Sequence, residues 1–265
     1  MHSTTCSRSS AFFPSPYDHA ALLSLDGSGD FSTAMAGVGA GNKIRVSSSV
    51  NFPHSIGIFY SALTQYLGFP HYGDEYKVMG LSPYGRPAYA TQLRKVIQPL
   101  SDGWFKLDFR YLLNPHAGYV KYEGHRPVIP TLFNKELEQL LGPARDPNAP
   151  LEQHHKDLAA SVQLVTEEII FHILEHLYKR TGLSDLCLAG GVAQNSVANG
   201  KITRNTAFKN VYVPSAGHDA GISMGAAMYV HHQILNGKRM APVYSAYLGP
   251  SFTNEEIERL LSAER

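Results

Sequence analysis

Cysteine, tryptophan and excess charge are all scarce in this chain of 265 residues. Its two cysteines, Cys6 and Cys187, are too few and too far apart for a disulfide framework, and they lack the C-x-x-C spacing of a metal knuckle. A reducing, cytoplasmic setting is therefore expected. Lys+Arg 23 against Asp+Glu 22 leaves a formal charge of +1, which argues against nucleic-acid binding through bulk positive charge; the 13 histidines add charge only below neutrality. No segment approaches the roughly 18 consecutive apolar residues of a membrane span. The opening stretch from Met1 to Pro16 has no basic segment followed by an apolar one, so it does not read as a secretory signal. Neither nucleic acid nor membrane is an expected partner. What is present, 43% hydrophobic residues with 17% charged, 23 Gly and 16 Pro, describes a globular chain with material for one large or two modest domains.

Apolar runs and glycine punctuation give the organisation. Ala20 to Leu25 is short, apolar and stopped by Asp26-Gly27, as in a buried strand ending in a turn. Phe31 to Val38 and Lys43 to Val50 flank Gly39-Ala40-Gly41-Asn42, whose composition favours a hairpin. From His54 to Leu67 the apolar residues fall at helical spacing, with Gly68 just past the last turn. Between Phe69 and about Pro150 the pattern is poor, and an irregular insertion is expected with short regular pieces at Trp104 to Leu107 and Lys135 to Leu141. Asp157 is the expected start of a long helix through Leu158, Val162, Val165, Ile169, Ile173 and Leu177, ended by Gly182, with His154-His155-Lys156 as a surface run before it. A strand at Leu186 to Ala189, a helix at about Ala193 to Asn199, a strand at Val211 to Val213 and a helix at Ala220 to Leu235 complete an α/β series, with sites expected at strand carboxyl ends.

Three strand-to-turn junctions carry the candidate chemistry: Asp26-Gly27-Ser28-Gly29-Asp30, Gly190-Gly191-Val192-Ala193-Gln194-Asn195, and Gly217-His218-Asp219-Ala220-Gly221. Each puts small residues where a bulky group must approach the backbone, although each alone is equally an ordinary glycine-rich turn. Glycines directly before a helix leave free N–H groups at its positive end, a phosphate-binding arrangement at Gly190-Gly191. Asp219 reads as a metal- or phosphate-bridging carboxylate, as a helix N-cap, or as both. A fourth segment, Tyr72 to Gly85, sets two acids, Lys77 and three tyrosines between glycines. Lys77 there either neutralises a phosphate or belongs to a solvated loop.

Taken in order, Ser55-Ile56-Gly57-Ile58-Phe59-Tyr60, Thr64-Gln65-Tyr66-Leu67-Gly68-Phe69, the Gly73-to-Gly85 loop, Asp157 to Gln163 and the Gly190-to-Asn195 turn resemble the O-carbamoyltransferase family of nodulation-factor and antibiotic carbamoyltransferases. The resemblance runs from about Ser10 to Leu260. It implies an actin-like ATPase (ribonuclease-H-like) α/β fold, incomplete at both ends. Residues 1–243 would form the actin-like transferase domain, and 244–265 the opening of a second domain that makes carbamoyl-adenylate from carbamoyl phosphate and ATP. The implied activity is transfer of the carbamoyl group to a hydroxyl of a small-molecule acceptor such as a sugar. Transferred position by position, Asp26, Gly27 and Gly29 would serve the phosphate turn, Gly190, Gly191 and Asn195 the adenylate, Lys77 an anion nearby, and Asp219 a divalent metal, iron in the family. The family's two metal-binding histidines fall on Ser3 and Ser7, and His2 is one place out of register, so weak metal binding is expected. Two further readings stay open from sequence: a non-catalytic remnant of such an enzyme, and a sugar-kinase-like ATPase sharing Asp26 and Gly190-Gly191.

Overall fold

The structure is a computed structural model that describes residues 3–29, 31–113, 121–247 and 249–263, with the side chains of 3–7, 121, 122 and 126 outside that description. Helix α1 (Ser3–Phe12) precedes a meander of β1 (His19–Gly29), β2 (Ser32–Ala40) and β3 (Lys43–Asn51), followed by α2 (Ile56–Tyr66). Then come α3 (Glu75–Leu81), α4 (Ala90–Val96), the hairpins β4 (Ile97–Pro99) with β5 (Phe105–Leu107) and β6 (Lys121–Glu123) with β7 (Arg126–Val128), and α5 (Lys135–Leu141). The long α6 (Gln153–Thr181) leads to β8 (Asp185–Ala189), the one-turn helices α7 (Ser196–Asn199) and α8 (Ile202–Asn205), β9 (Asn210–Tyr212), α9 (Ile222–Met228) and α10 (Asn254–Ala263).

Five strands form one mixed sheet in the order β3-β2-β1-β8-β9. β1 runs antiparallel to β2 and parallel to β8, and β9 is parallel to β8. β1 is thus central, and the apolar run Ala20 to Leu25 is buried on both faces. Because successive side chains alternate across a strand, the run divides by parity. Ala21, Leu23 and Leu25, with Leu186 and Leu188, enter the larger core under α2 and α6, while Ala20 and Leu22, with Cys187 and Ala189, pack in a second cluster with Phe12 at the end of α1, Phe13 just after it and Met228 of α9. The sheet is therefore covered on both sides, which is why its strands read as continuous apolar runs. The hairpin expected at Gly39 to Asn42 turns at Gly41, whose φ of +54° suits glycine.

Several expectations are corrected. α6 begins at Gln153 because Glu152 and His155 form a reciprocal capping box; His155 is thereby buried rather than part of a surface run. Asp157 instead accepts a hydrogen bond from the Arg86 amide at 2.8 Å. The region from Phe69 to Pro150 is less irregular than expected, since it holds α3, α4, α5 and two small hairpins. Its helices are seven residues each, too short to display a clear repeat. The helix expected from Ala193 resolves into a 3₁₀ turn at Val192–Gln194 followed by α7, and the one expected from Ala220 into a 3₁₀ turn at Asp219–Gly221, α9 and a π-turn at Tyr229–Ile234.

Candidate active site

The parallel pairing of β1 with β8 carries their carboxyl ends to one edge of the sheet, and the three glycine-rich junctions meet there. Gly190, at φ +94°, passes so close to β1 that a Cβ would lie 2.0 Å from the Leu25 carbonyl oxygen, so only glycine fits. Its amide donates to the Gly217 carbonyl at 2.7 Å, tying the second junction to the third. The start of α2 closes on the first junction. A Cβ on Gly57 would lie 2.5 Å from Gly27 Cα, and the Ser55 hydroxyl both donates to the Asp26 carbonyl at 2.9 Å and accepts from the Ile58 amide at 3.1 Å. Ser55 is therefore the α2 cap and the tether that fixes α2 against the turn.

These elements enclose a cavity of about 790 Å³ to which Asp26, Gly27, Gly191, Asn195 and Asp219 all contribute. Three of the sequence candidates do not line it. Gly29 is the last residue of β1, Gly190 sits behind the wall, and Lys77 pairs with Asp74 at 2.7 Å with its ammonium 5.6 Å from the Phe69 ring centre. The segment around Lys77 is also α3 rather than a loop, and it is Tyr72, Glu75, Tyr76 and Met79 that face the cavity. Asp30 and His2 lie outside the described residues.

Among the described residues the lining holds three carboxylates, Asp26, Glu75 and Asp219, with His218 and no lysine or arginine. Burial pushes the Asp26 carboxyl up to about 6; the charge of Asp219 adds to the rise, while the Gly27 amide at 2.8 Å, the Gly191 amide and His218 oppose it. The Gly191 N–H is thus engaged by Asp26. The N-cap expected at Asp219 falls instead on His218, whose Nδ1 accepts from the Ala220 amide at 3.4 Å.

Behind the cavity wall runs a polar network that sequence reading missed. The Tyr60 hydroxyl donates to Gln163 Oε1 at 3.0 Å; Gln163 and Asn195 exchange two amide hydrogen bonds of 3.0 Å each; Gln163 Nε2 also reaches Glu167 at 2.9 Å, and Lys201 holds the Glu167 carboxylate at 2.7 and 2.8 Å. Burial, then the charges of Glu75 and Glu167, raise the Tyr60 phenol above its ordinary value, keeping it a neutral donor. Asn195 Oδ1 additionally caps α7 through the Ala198 amide at 3.0 Å. Its oxygen is committed, so Asn195 can offer a ligand only one remaining amide hydrogen. Ser61 donates to the Glu75 carboxylate, fixing α3 to α2. The signal available in sequence was the polar pair Gln163 and Glu167, four apart on the otherwise apolar face of α6.

Among the described residues no group of three or more His, Cys, Asp or Glu is placed to hold a metal ion. Also among the described residues, no helix is long and apolar enough to cross a membrane.

The family described as Carbamoyltransferase N-terminus matches residues 1–228. The chain is 44% identical over 258 residues to the uncharacterized protein sll1178 of Synechocystis, covering 95% of this chain and 40% of that one. It is 35% identical over 255 residues to the nodulation protein NolNO of Sinorhizobium fredii, covering 96% of this chain and 34% of the relative. It thus spans well under half the length of these curated relatives. A solved structure, HypF of T. kodakarensis, aligns over 89% of this chain and 37% of its own at 16% identity with a TM-score of 0.42. By the match of residues 1–228, the chain belongs to the carbamoyltransferase family and carries its amino-terminal domain.

Proposed function

We propose that this chain carries the transfer half of a carbamoyltransferase: the cavity receives a carbamoyl-adenylate donor and an acceptor hydroxyl, and Asp26 is the general base. In the proposed step the acceptor oxygen bonds to the carbamoyl carbon, the carbon–oxygen bond to the adenylate phosphate breaks, AMP leaves with that electron pair, and the acceptor proton passes to the Asp26 carboxylate. The observation that carries the reading is the Asp26 carboxyl at the strand end, raised to about 6 and facing the cavity, since a base is most effective when its pKa lies near the working pH. The side-chain amides of Gln194 and Asn195 are donors in the same wall, while the Tyr60 hydroxyl hydrogen is already given to Gln163. Three lining carboxylates repel an anionic donor, so the donor's phosphate requires counter-charge from outside these residues.

The order of the mixed sheet, with β2 alone antiparallel to both its neighbours, supports an actin-like, ribonuclease-H-like domain in residues 1–243. In the same reading 244–265 opens a second domain that makes the adenylate from carbamoyl phosphate and ATP, and the acceptor is a sugar or natural-product hydroxyl, in keeping with a relative named as a nodulation protein. The test supplies preformed carbamoyl-adenylate and a saccharide acceptor and follows the carbamoylated product. The rate is expected to fall on a limb near pH 6, and Asp26→Asn to lower it by about 100-fold. No product, or an unchanged rate in the variant, overturns the assignment; transfer of the ATP γ-phosphate to the sugar in its place would establish the kinase reading.

A further inference from the structure

Glu167 is a carboxylate on α6 that is 4% exposed, yet it does not line the cavity. One of its oxygens takes both Lys201 at 2.7 Å and Gln163 Nε2 at 2.9 Å, and the other takes Lys201 at 2.8 Å. Lys201 reaches it from the turn between α7 and α8. Stability does not account for such a pair, because well-packed apolar residues in place of a buried ion pair are often as stable or more so. What the pair does is fix a direction.

A carboxylate only accepts, so Glu167 dictates which end of the Gln163 amide is turned to it. With Nε2 on that side, its second hydrogen goes to Asn195 Oδ1 at 3.0 Å, and Oε1 receives the Tyr60 hydroxyl and the Asn195 amide, each at 3.0 Å. The Ala198 amide, 3.0 Å from Asn195 Oδ1, demands the same orientation from the other end. Every donor and acceptor of Gln163 is then used. Tyr60 and Asn195 both line the cavity. Tyr60 has given its hydrogen inward and keeps an oxygen that can only accept; Asn195 has committed its oxygen and keeps one amide hydrogen that can only donate. Both stand 3.0 Å from the same Gln163 oxygen, so the acceptor and the donor are neighbours in the wall.

We propose that Glu167, held by Lys201, is a positioning residue that fixes this polarity, and that the polarity makes the cavity select a carbamoyl-adenylate over an acetyl-adenylate. The inference rests on the transfer reading above and adds how its donor is told from an acyl analogue. A carbamoyl group carries N–H hydrogens beside a carbonyl oxygen, matching an acceptor beside a donor. An acetyl group has nearly the same shape but a methyl in place of the NH₂, so it leaves the Tyr60 oxygen unpartnered, and an unpaired polar group in a site is a strong ground for rejection. Glu167 touches neither group and acts only through Gln163.

Calorimetry of the full chain without acceptor, titrated with preformed carbamoyl-adenylate and with acetyl-adenylate, tests this through the ratio of the two Kd values. The ratio is expected to favour the carbamoyl compound by at least about tenfold. Tyr60→Phe is expected to bring it below about threefold, and Glu167→Leu to do the same, whereas Glu167→Gln, which keeps an oxygen for Gln163 Nε2, retains most of it. Joining Tyr60→Phe to Glu167→Leu should lower it no further, since both act on one contact. Glu168→Gln, at the neighbouring residue that pairs with Arg94 on the surface, is expected to leave it unchanged. A ratio near one in the unaltered chain, an unchanged ratio in Tyr60→Phe, or a Glu167→Leu chain that loses stability at constant ratio would each overturn the proposal, and the Tyr60→Phe arm decides even where Glu167→Leu does not fold. The transfer reading fails separately: a ratio that depends on Tyr60 and Glu167, with no product when the acceptor is added, leaves the polarity standing and removes the reaction, while binding of neither adenylate overturns both.

Discussion

α6 and α10 open alike and end differently. Each begins with a reciprocal capping box, Glu152 with His155 in α6 and Thr253 with Glu256 in α10, and each carries apolar residues at helical spacing. In α6 the apolar face from Leu158 to Leu177 is buried against the sheet and its neighbours. In α10 no residue is buried, and Ile257, Leu260 and Leu261 stand 45%, 61% and 65% exposed. The difference teaches that periodicity and capping specify a helix and its face but not what covers that face. α6 is covered because β1 precedes it and β8 follows it in one sheet, so its face has a partner built by the chain on either side. α10 follows the last strand and meets no such surface among the described residues.

The contrast is sharpest at the centre of α6. Ile173 is fully buried in the larger core, so Ile173→Ala is expected to cost about 2 to 5 kcal/mol, the loss of transferred surface plus the cavity left behind. Reversible denaturation measures it, and a change below about half a kcal/mol would place that face in solvent instead. A smaller effect is expected where the same face turns polar. Gln163→Leu keeps the volume but strands the Tyr60 hydroxyl, the Asn195 amide and one bond to Glu167, which should cost about 1 to 3 kcal/mol. A neutral or stabilising result would mean that water replaces the lost partners. Smaller again is the C-cap: Gly182 sits at φ +66° with open space around a Cβ, so Gly182→Ala pays only for the left-handed backbone, about 1 kcal/mol. A cost equal to that of Ile173→Ala would show that packing rather than backbone conformation holds the end of α6.

What was legible in the sequence follows the same division. The central strands, α2 and α6 were readable because burial on one or both faces writes a period into the sequence, and Gly41 and Gly182 stand at turns where positive φ demands them. The second and third junctions were readable as glycine-rich turns, whereas at the first the turn expected at Asp26-Gly27 is instead an irregular continuation of β1 to Gly29, with a register shift after Leu25; their meeting at one sheet edge follows from the parallel pairing of β1 with β8. The side of the cavity formed by α2 and α3 was not readable. Tyr60 and Ser61 sit on a helix read only for the helical spacing of its apolar residues, and Glu75 and Tyr76 on a seven-residue helix with too few turns to show a period. Lys77 attracted notice as the charge of that segment, yet a cation beside Asp74 in sequence is satisfied locally and need not face a site. The raised Asp26 carboxyl was likewise invisible, because its cause is burial and the approach of Asp219 from a junction nearly two hundred residues away in the chain.

The smallest expected effect belongs to α10. Ten residues fall short of the length at which an isolated helix is stable in water, so α10 draws its order from the Thr253 and Glu256 box and the acidic first turn rather than from packing. Leu260→Ala removes side-chain surface that is already in contact with water, and the denaturation midpoint is expected to move by less than about half a kcal/mol equivalent. Thr253→Ala should lower helicity locally, read as faster amide exchange over Ile257 to Leu261, without touching the exchange of α6. If Leu260→Ala instead destabilises the whole chain as Ile173→Ala does, the apolar face of α10 is covered in solution and the contrast between the two helices disappears. If it leaves stability alone but changes the sedimentation of the chain, that face is occupied by another chain rather than by its own core.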